Sequence, residues 1–261
     1  MDYIRSFFPV QQQYAALPVR LRQQGRQIIS LVDLDLIEQA IQKDEALFLQ
    51  RMLSAAEQGY FQRFKYMKRK KEWLGGRIAA KTALLAFTHA TGAADQDLRR
   101  ITLLPDTHGR PVIEAFPCSL SAQKNQTNDL NISLSHSDHF AVALAGQSRN
   151  CGIDLEEISA KLAGLTDHFA TDAELQVLAE QADCDEDTRL TMLWTVKEAL
   201  KKALLHDQAV IFSQTELREI IRERDSVQRV TCTVQGRWQS VQVYLLRPYV
   251  LSITEEDSRC A

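Results

Sequence analysis

The stretch WTVKEALKKALL at residues 194–205 decides the fold, because it has a counterpart in the first half of the chain. Residues 72–85 read EWLGGRIAAKTALL. In both stretches apolar residues recur at the spacing of a helix, so each predicts an amphipathic helix. The alignment pairs a tryptophan and a lysine of one helix with those of the other, Trp73 with Trp194 and Lys81 with Lys202.

The elements around these two helices repeat as well. A capping box precedes each helix, S-x-x-E at residues 54–57 and T-x-x-E at residues 171–174. Short apolar or alternating runs predict antiparallel strands. They lie at residues 101–104, 112–113, 131–137 and 140–145 in the first half, and at 151–156, 229–234, 240–246 and 249–254 in the second. Residues 34–53 have helical spacing in more than one piece, and the rest of the first fifty residues predict no clear element.

The repeat predicts an α+β protein with two pseudo-duplicated lobes, each made of helices packed on a small antiparallel sheet. We place the N-terminal half at residues 1–148 and the C-terminal half at residues 149–261. A ligand site is expected between the halves, because domain interfaces are favoured places for clefts.

Composition excludes several classes of protein. The 261 residues carry a net charge of −3 and are 45% apolar, which is ordinary for a globular chain. The charge gives no basic footprint for nucleic acid. No run approaches the roughly 18 apolar residues of a membrane helix. The five cysteines are scattered and form no C-x-x-C. We expect a cytoplasmic protein with reduced thiols and no nucleic-acid or membrane partner.

Asp154 and Glu156 are the first candidates for chemistry. They are two residues apart on a predicted strand, so their side chains share a face. Paired carboxylates suit Mg²⁺, which commonly takes one or two protein carboxylates together with phosphate oxygens and water. Taken alone, a D-x-E pattern is more often the exposed side of a strand.

Glu198 and Lys202 are the second candidates, four residues apart on one helix face. The functional interpretation makes Glu198 a third metal ligand or a base, and makes Lys197 and Lys202 clamps for phosphate. The simpler alternative is a surface salt bridge worth a few tenths of a kcal/mol, which is favoured when the pair is taken alone.

Other motifs are less specific. His136 lies between Ser135 and Ser137, a set of short donors that suits a phosphate. No G-x-S-x-G surrounds the serine, so a serine hydrolase is disfavoured. The chain has neither a P-loop nor a G-x-G-x-x-G. The basic run at residues 63–71 is interpreted as a solvated helix face, or as a surface near a phosphorylated ligand or an acidic partner.

Taken together, four motifs in order resemble those of the Sfp-type 4′-phosphopantetheinyl transferases. They are Gly109-Arg110-Pro111, the Ser135-His136-Ser137 triplet, G-x-D-x-E at residues 152–156 and W-x-x-K-E-A-x-x-K at residues 194–202. Residues 72–81 look like the first-half helix of that family. The resemblance covers about residues 54–205, and its pseudo-twofold fold agrees with the repeat.

The resemblance implies an enzyme that moves the 4′-phosphopantetheine arm of coenzyme A to a serine of an acyl or peptidyl carrier protein. It implies release of 3′,5′-ADP and use of Mg²⁺. Asp154, Glu156 and Glu198 would bind the metal. Glu198, or a water it holds, would deprotonate the carrier serine, and Lys202 would stabilise the pyrophosphate.

The resemblance also implies the residues that bind coenzyme A. They are Arg77, Lys81, Arg110, Ser135, His136, Lys197 and Lys202. Arg110, Ser135 and His136 would hold the 3′-phosphate and adenosine end. The match of Arg77 and Lys81 is looser, because the segment before Trp73 lacks a lysine pattern seen in some members.

Two other functions stay open at this point. One is a non-catalytic module that binds coenzyme A or a nucleotide, and the other is a metal-dependent phosphodiesterase. The sequence identifies neither the carrier protein, whether of fatty-acid, polyketide or nonribosomal-peptide biosynthesis, nor the role of the first fifty residues. We expect a monomer, since one chain supplies both halves of the cleft.

Overall fold

The computed structural model of the chain describes residues 2–14, 17–89, 97–117, 130–148, 150–205 and 214–255. Its contacts divide the chain into two compact units. The first unit is Phe8–Arg149, and the second unit is Met1–Phe7 together with Asn150–Ala261. The division after residue 149 falls beside the one expected from the sequence, whereas the first residues belong to the second unit.

The first unit combines three helices with a five-stranded antiparallel sheet and a two-stranded hairpin. The helices are α2 (Leu34–Met52), α3 (Ala55–Phe61) and α4 (Met67–His89). The sheet strands are β1 (Val10–Tyr14), β2 (Leu17–Gln24), β3 (Gln27–Asp33), β6 (Asn131–Ser137) and β7 (Phe140–Gly146), in the order β1-β2-β3-β7-β6. The hairpin pairs β4 (Thr102–Pro105) with β5 (Pro111–Ala115). As expected from the sequence, α2 consists of two pieces, which meet at a kink at Asp44.

The second unit has a second five-stranded antiparallel sheet. Its helices are α1 (Asp2–Phe7), α5 (Thr166–Phe169), α6 (Asp172–Gln181) and α7 (Glu186–Leu204). Its strands are β8 (Ile153–Glu157), β9 (Thr215–Arg224), β10 (Val227–Val234), β11 (Arg237–Leu246) and β12 (Tyr249–Thr254), in the order β8-β12-β11-β10-β9. α1 is anchored by Phe7, whose ring centroid lies 4.6 Å from that of Tyr244.

The two units repeat one motif, a helix packed on three neighbouring strands, and the other two strands of each sheet extend it on different sides. In the first, α4 packs on the sheet, β3 pairs with β7, and β7 pairs with β6. In the second, α7 packs on the sheet, β8 pairs with β12, and β12 pairs with β11. Each unit has its own apolar core, which α4 enters through Leu74 and Ile78 and α7 through Val196 and Leu200. The α+β class and the internal duplication predicted from the sequence are confirmed.

In each unit, the glutamate of the capping box also forms a buried ion pair with a lysine of the long helix. In the first unit, Lys81 Nζ lies 2.5 Å from Glu57 Oε2 and donates to the Met52 carbonyl at 3.1 Å. The other oxygen of Glu57 accepts from the Leu103 amide at 3.1 Å. The same carboxylate accepts from the amide of Ser54, the N-cap of α3. Helix α4, helix α3 and strand β4 therefore meet on one carboxylate.

The second unit contains the same network, residue for residue. Lys197 Nζ lies 2.8 Å from Glu174 Oε1 and donates to the Phe169 carbonyl at 2.7 Å. Glu174 Oε1 accepts from the Leu217 amide at 2.9 Å, and Glu174 Oε2 from the Thr171 amide at 2.9 Å. In both units the accepting carbonyl lies two residues before the N-cap.

This network corrects the alignment drawn from the sequence. The lysine equivalent to Lys81 is Lys197, not Lys202, so the tryptophans Trp73 and Trp194 are not equivalent either. The sequence alignment failed because lysines and aromatic residues recur along both helices, whereas only one lysine in each reaches the capping glutamate.

Two simpler expectations concern membranes and thiols. No helix in the described part of the chain has a stretch long and apolar enough to cross a bilayer. Cys151, Cys184 and Cys232 form no disulfide with one another. The remaining cysteines, Cys118 and Cys260, lie outside the described residues.

Lys81→Met tests the energetic weight of the buried pair. Neither Lys81 nor Glu57 is exposed to solvent. Removing one partner leaves a buried charge uncompensated, so we expect the free energy of unfolding to fall by about 3 kcal/mol. Urea denaturation of Lys81→Met, Glu57→Gln and the double variant measures this. The double variant should be more stable than the sum of the two losses predicts, and additive losses would contradict the pairing.

Candidate active site

The candidate site begins at Gly152, where β8 approaches α7. A Cβ atom at Gly152 would overlap the Ala199 carbonyl oxygen and lie 3.0 Å from the Ala203 Cβ. Because the obstacle is the backbone of α7, no side-chain rotation can make room. Glycine at this position therefore allows the strand that carries Asp154 to lie directly against the helix that carries Glu198.

An ion pair links β8 to α7. Lys202 Nζ lies 2.6 Å from Asp154 Oδ1 and donates to the Ile153 carbonyl at 3.2 Å. The Asp154 side chain is 4% exposed and that of Lys202 is 27% exposed. The pair therefore combines a buried carboxylate with a lysine side chain that is partly exposed.

Glu198 lies one helical turn before Lys202. Its carboxylate contacts Lys201, with Nζ 3.4 Å from Oε1. The surface salt bridge between Glu198 and Lys202 considered from the sequence is replaced by two others, Lys201 with Glu198 and Lys202 with Asp154. The pair of Lys202 with Asp154 joins helix α7 to strand β8, so it constrains how these two elements pack, whereas a pair on one helix face does not.

The three predicted metal ligands come from these two packed elements. Glu156 is half-buried on β8, two residues after Asp154 and on the same face of the strand. Within the described ranges, no group of three His, Cys, Asp or Glu side chains is close enough to hold a metal ion. The protein side chains alone therefore do not form a three-ligand cage.

The equivalent positions of the first unit carry no charge. The β3–β7 and β8–β12 ladders can be aligned so that Asp33 matches Glu157. Ser30 is then equivalent to Asp154, and Val32 is equivalent to Glu156. Because Lys81 is equivalent to Lys197, Thr82 is equivalent to Glu198 and Ala86 is equivalent to Lys202. The carboxylate and ammonium groups of the candidate site are thus confined to the second unit of a duplicated scaffold.

Lys81 and Lys197, predicted to bind coenzyme A, are placed differently. Lys81 is fully buried and Lys197 is 1% exposed. Both ammonium groups are held by a glutamate and a backbone carbonyl, as described above. A phosphate could reach them only after these bonds break, so we leave both lysines out of the candidate site.

Arg77 is buried on α4. Its guanidinium carbon lies 4.6 Å from the centroid of the Trp73 ring, and its Nε donates to the Leu103 carbonyl at 3.4 Å. Burial lowers the pKa of Arg77 to about 10, while the charges of Glu57 and Tyr60 act in the opposite direction. The group remains a cation at neutral pH.

The other predicted coenzyme A residues lie on β6 and the β4–β5 hairpin. Arg110 follows Gly109, whose φ of +83° favours glycine in the turn. Its Nη2 lies 3.4 Å from Asn131 Oδ1 at the start of β6. Along β6, Ser135 shares a face with Asn131, whereas His136 points to the opposite face. Within the Ser-His-Ser triplet, the side chains of Ser135 and Ser137 therefore lie on one face of β6 and that of His136 on the other.

The basic run at residues 63–71 is not one continuous helix, because α3 ends at Phe61 and α4 begins at Met67. Lys70 Nζ lies 2.6 Å from a Glu45 carboxylate oxygen, and Lys71 Nζ lies 2.7 Å from one of Glu38. These acidic residues belong to α2. Part of the positive charge is thus neutralised within the first unit rather than offered to a partner.

Comparisons with known proteins match part of this chain. The family model of the 4′-phosphopantetheinyl transferase superfamily matches residues 150–254. A holo-[acyl-carrier-protein] synthase of Exiguobacterium sibiricum is 34% identical over 116 residues, which is 44% of this chain and 81% of the relative. One of Staphylococcus haemolyticus is 29% identical over 118 residues, 44% of this chain and 88% of the relative.

A solved structure is also similar. It is a holo-(acyl-carrier-protein) synthase from Bacillus anthracis in complex with CoA (3′,5′-ADP). It is 26% identical, with a TM-score of 0.35, and the likeness covers 45% of this chain and 90% of that one.

Gly152→Ala tests the close approach of β8 to α7. Overlap with the α7 backbone should force the two elements apart and lower the free energy of unfolding by about 2 kcal/mol. Gly164→Ala is the matched control in the same unit, because a Cβ there meets no atom within 4 Å. Thermal and urea denaturation of both variants measure the difference, and equal stability of the two would contradict the steric argument.

Proposed function

This chain belongs to the 4′-phosphopantetheinyl transferase superfamily, and from that premise we propose its reaction and its catalytic residues. The reaction is transfer of the 4′-phosphopantetheine arm of coenzyme A to a serine hydroxyl of an acyl or peptidyl carrier protein, with release of 3′,5′-ADP. The observation that carries the proposal is the contact between Lys202 and Asp154. It lies within the segment matched by the family model, at a junction of strand and helix that requires Gly152.

Mg²⁺ is the proposed metal. Asp154, Glu156 and Glu198 offer carboxylate oxygens, the hard donors that this ion prefers. Mg²⁺ commonly takes one or two protein carboxylates and completes its shell with phosphate oxygens and water, so one or two of these three side chains would hold it. When bound, the ion supplies positive charge to the phosphate oxygens of the substrate.

Lys202 and Glu198 are the proposed catalytic residues. Transfer breaks the bond between the arm's phosphorus and the 5′-phosphate oxygen of 3′,5′-ADP, so negative charge grows on the leaving group. The ammonium group of Lys202, on a side chain that is partly exposed, stabilises that charge. Glu198, one turn earlier on α7, accepts the proton of the carrier serine, directly or through a water. The nucleophile comes from the carrier, so the enzyme needs no activated serine or cysteine of its own.

The proposed contacts to the rest of coenzyme A come from the first unit. Arg77, Arg110, Ser135 and His136 remain the candidates for the 3′-phosphate and adenosine. The cationic state of Arg77 at neutral pH supports its part. Lys81 and Lys197 are not included, because each side chain is fully buried and its ammonium group is held by a glutamate. The Lys202 side chain, in contrast, is 27% exposed.

Intact-mass spectrometry of carrier proteins tests the reaction. The purified protein is incubated with coenzyme A, Mg²⁺ and several unmodified carriers. We expect a mass gain equal to one phosphopantetheine on at least one carrier, and no gain when a chelator is present. Consumption of coenzyme A without a carrier would instead identify a phosphodiesterase, and a gain that persists in chelator would refute the metal requirement.

Lys202→Met tests the proposed role of Lys202. We expect the rate of carrier modification to fall at least 100-fold, because roughly 3 kcal/mol of charge stabilisation is lost. Lys161→Met is the control in the same unit, and its rate should stay within about threefold, since Lys161 is an exposed lysine and an exposed charge contributes little. Initial rates at saturating coenzyme A measure both. Equal rates for the two variants would remove Lys202 from the mechanism.

A further inference from the structure

The Glu174 carboxylate gathers three elements of the second unit. It closes the capping box of α6 by accepting from the Thr171 amide at 2.9 Å. It accepts from the Leu217 amide of β9 at 2.9 Å. It also accepts from Lys197 Nζ, at 2.8 Å to Oε1 and 2.9 Å to Oε2. Because Glu174 is 2% exposed, these donors take the place of water, and α7 is tied to α6 and β9 at one point.

Helix α7 is therefore fixed at two points that lie on either side of Glu198. The first is Lys197, its immediate neighbour in the chain, which points into the core beside α6. The second is Lys202, which reaches Asp154 on β8. A shift or rotation of α7 would break the first contact and move both Glu198 and Lys202 relative to β8.

We infer that the buried Glu174–Lys197 pair is a positioning device for the transfer reaction. It holds α7 in the register at which Glu198 and Lys202 stand against β8, and neither Glu174 nor Lys197 touches substrate. This inference rests on the proposed function, which assigns the chemistry to Glu198 and Lys202.

The first unit supplies the internal comparison. Glu57 and Lys81 form the same buried network, yet the residues equivalent to Glu198 and Lys202 are Thr82 and Ala86. The same loss of an ion pair therefore disturbs a helix with catalytic groups in one unit and a helix without them in the other. A purely structural role predicts equal consequences for the rate, whereas positioning predicts unequal ones.

The test compares Glu174→Gln/Lys197→Met with Glu57→Gln/Lys81→Met. Each double variant removes both charges, so no isolated charge stays buried. For the second-unit variant we expect kcat per folded molecule to fall at least tenfold, with KM for coenzyme A within about threefold. For the first-unit variant we expect kcat within about threefold, and any change should appear in KM, since Arg77 lies one turn before Lys81.

Hydrogen–deuterium exchange gives a second measurement that does not depend on activity. We expect faster exchange of peptides covering residues 153–157 and 198–204 in the second-unit variant only. If the wild-type protein modified no carrier, the proposed function would fail, but the exchange experiment would still test whether the pair fixes α7.

Two results would overturn the inference. One is a folded second-unit variant whose kcat and exchange match those of the wild type. The other is an equal loss of kcat in both double variants, which would mean general destabilisation. If a double variant does not fold, milder single variants are compared instead, Thr171→Ala in the second unit and Ser54→Ala in the first. Each removes only the hydroxyl group of the N-cap residue. The expected split is then about threefold, and its absence would count against positioning.

Discussion

A buried glutamate that caps one helix and pairs with a lysine of the next is the contact on which both units depend. Glu57 and Glu174 each join two helices and the edge of a strand. A carboxylate buried this completely is tolerable only when its oxygens are matched by donors, and both glutamates receive an ammonium group and backbone amides. The repetition of every partner is the strongest structural evidence for the duplication of the chain.

Of the two units, only the second carries the proposed metal ligands and catalytic residues. Asp154 and Lys202 meet where Gly152 lets strand and helix approach, and the equivalent first-unit positions hold Ser30 and Ala86. A scaffold of this kind separates two tasks. The repeated ion pairs hold the helices in place, and the residues proposed for binding and transfer lie nearby on the same helices.

The sequence predicted the parts of the fold that have strong local signals. The capping boxes, the long helices and the hairpin at residues 131–146 were found because periodicity and capping act within a few residues. Strand β9 was missed because its charged residues, TELREIIRER at 215–224, are typical of an exposed edge rather than of a buried strand. Strand β1 was missed for a similar reason, since three of its five residues are glutamine.

The candidate site was predicted less completely than the fold. The motifs proposed Asp154, Glu198 and Lys202 for the site, and they gave Lys197 the same role as Lys202. Spacing along a helix shows which residues are neighbours, and it does not show which of two adjacent lysines meets a carboxylate from a distant part of the chain. The capping glutamate Glu174 was itself a usable signal, since its side chain must be satisfied by a donor when the helix start is buried.

The central claim is that Asp154 of β8 and Lys202 of α7 act together in the reaction. A double-mutant cycle between these two residues tests it most directly. The rate of carrier modification is measured for Asp154→Asn, Lys202→Met and the double variant. Residues that act as a unit lose activity non-additively, so the double variant should be about as slow as the slower single variant. Losses that multiply would show that the two residues act independently and would contradict the account.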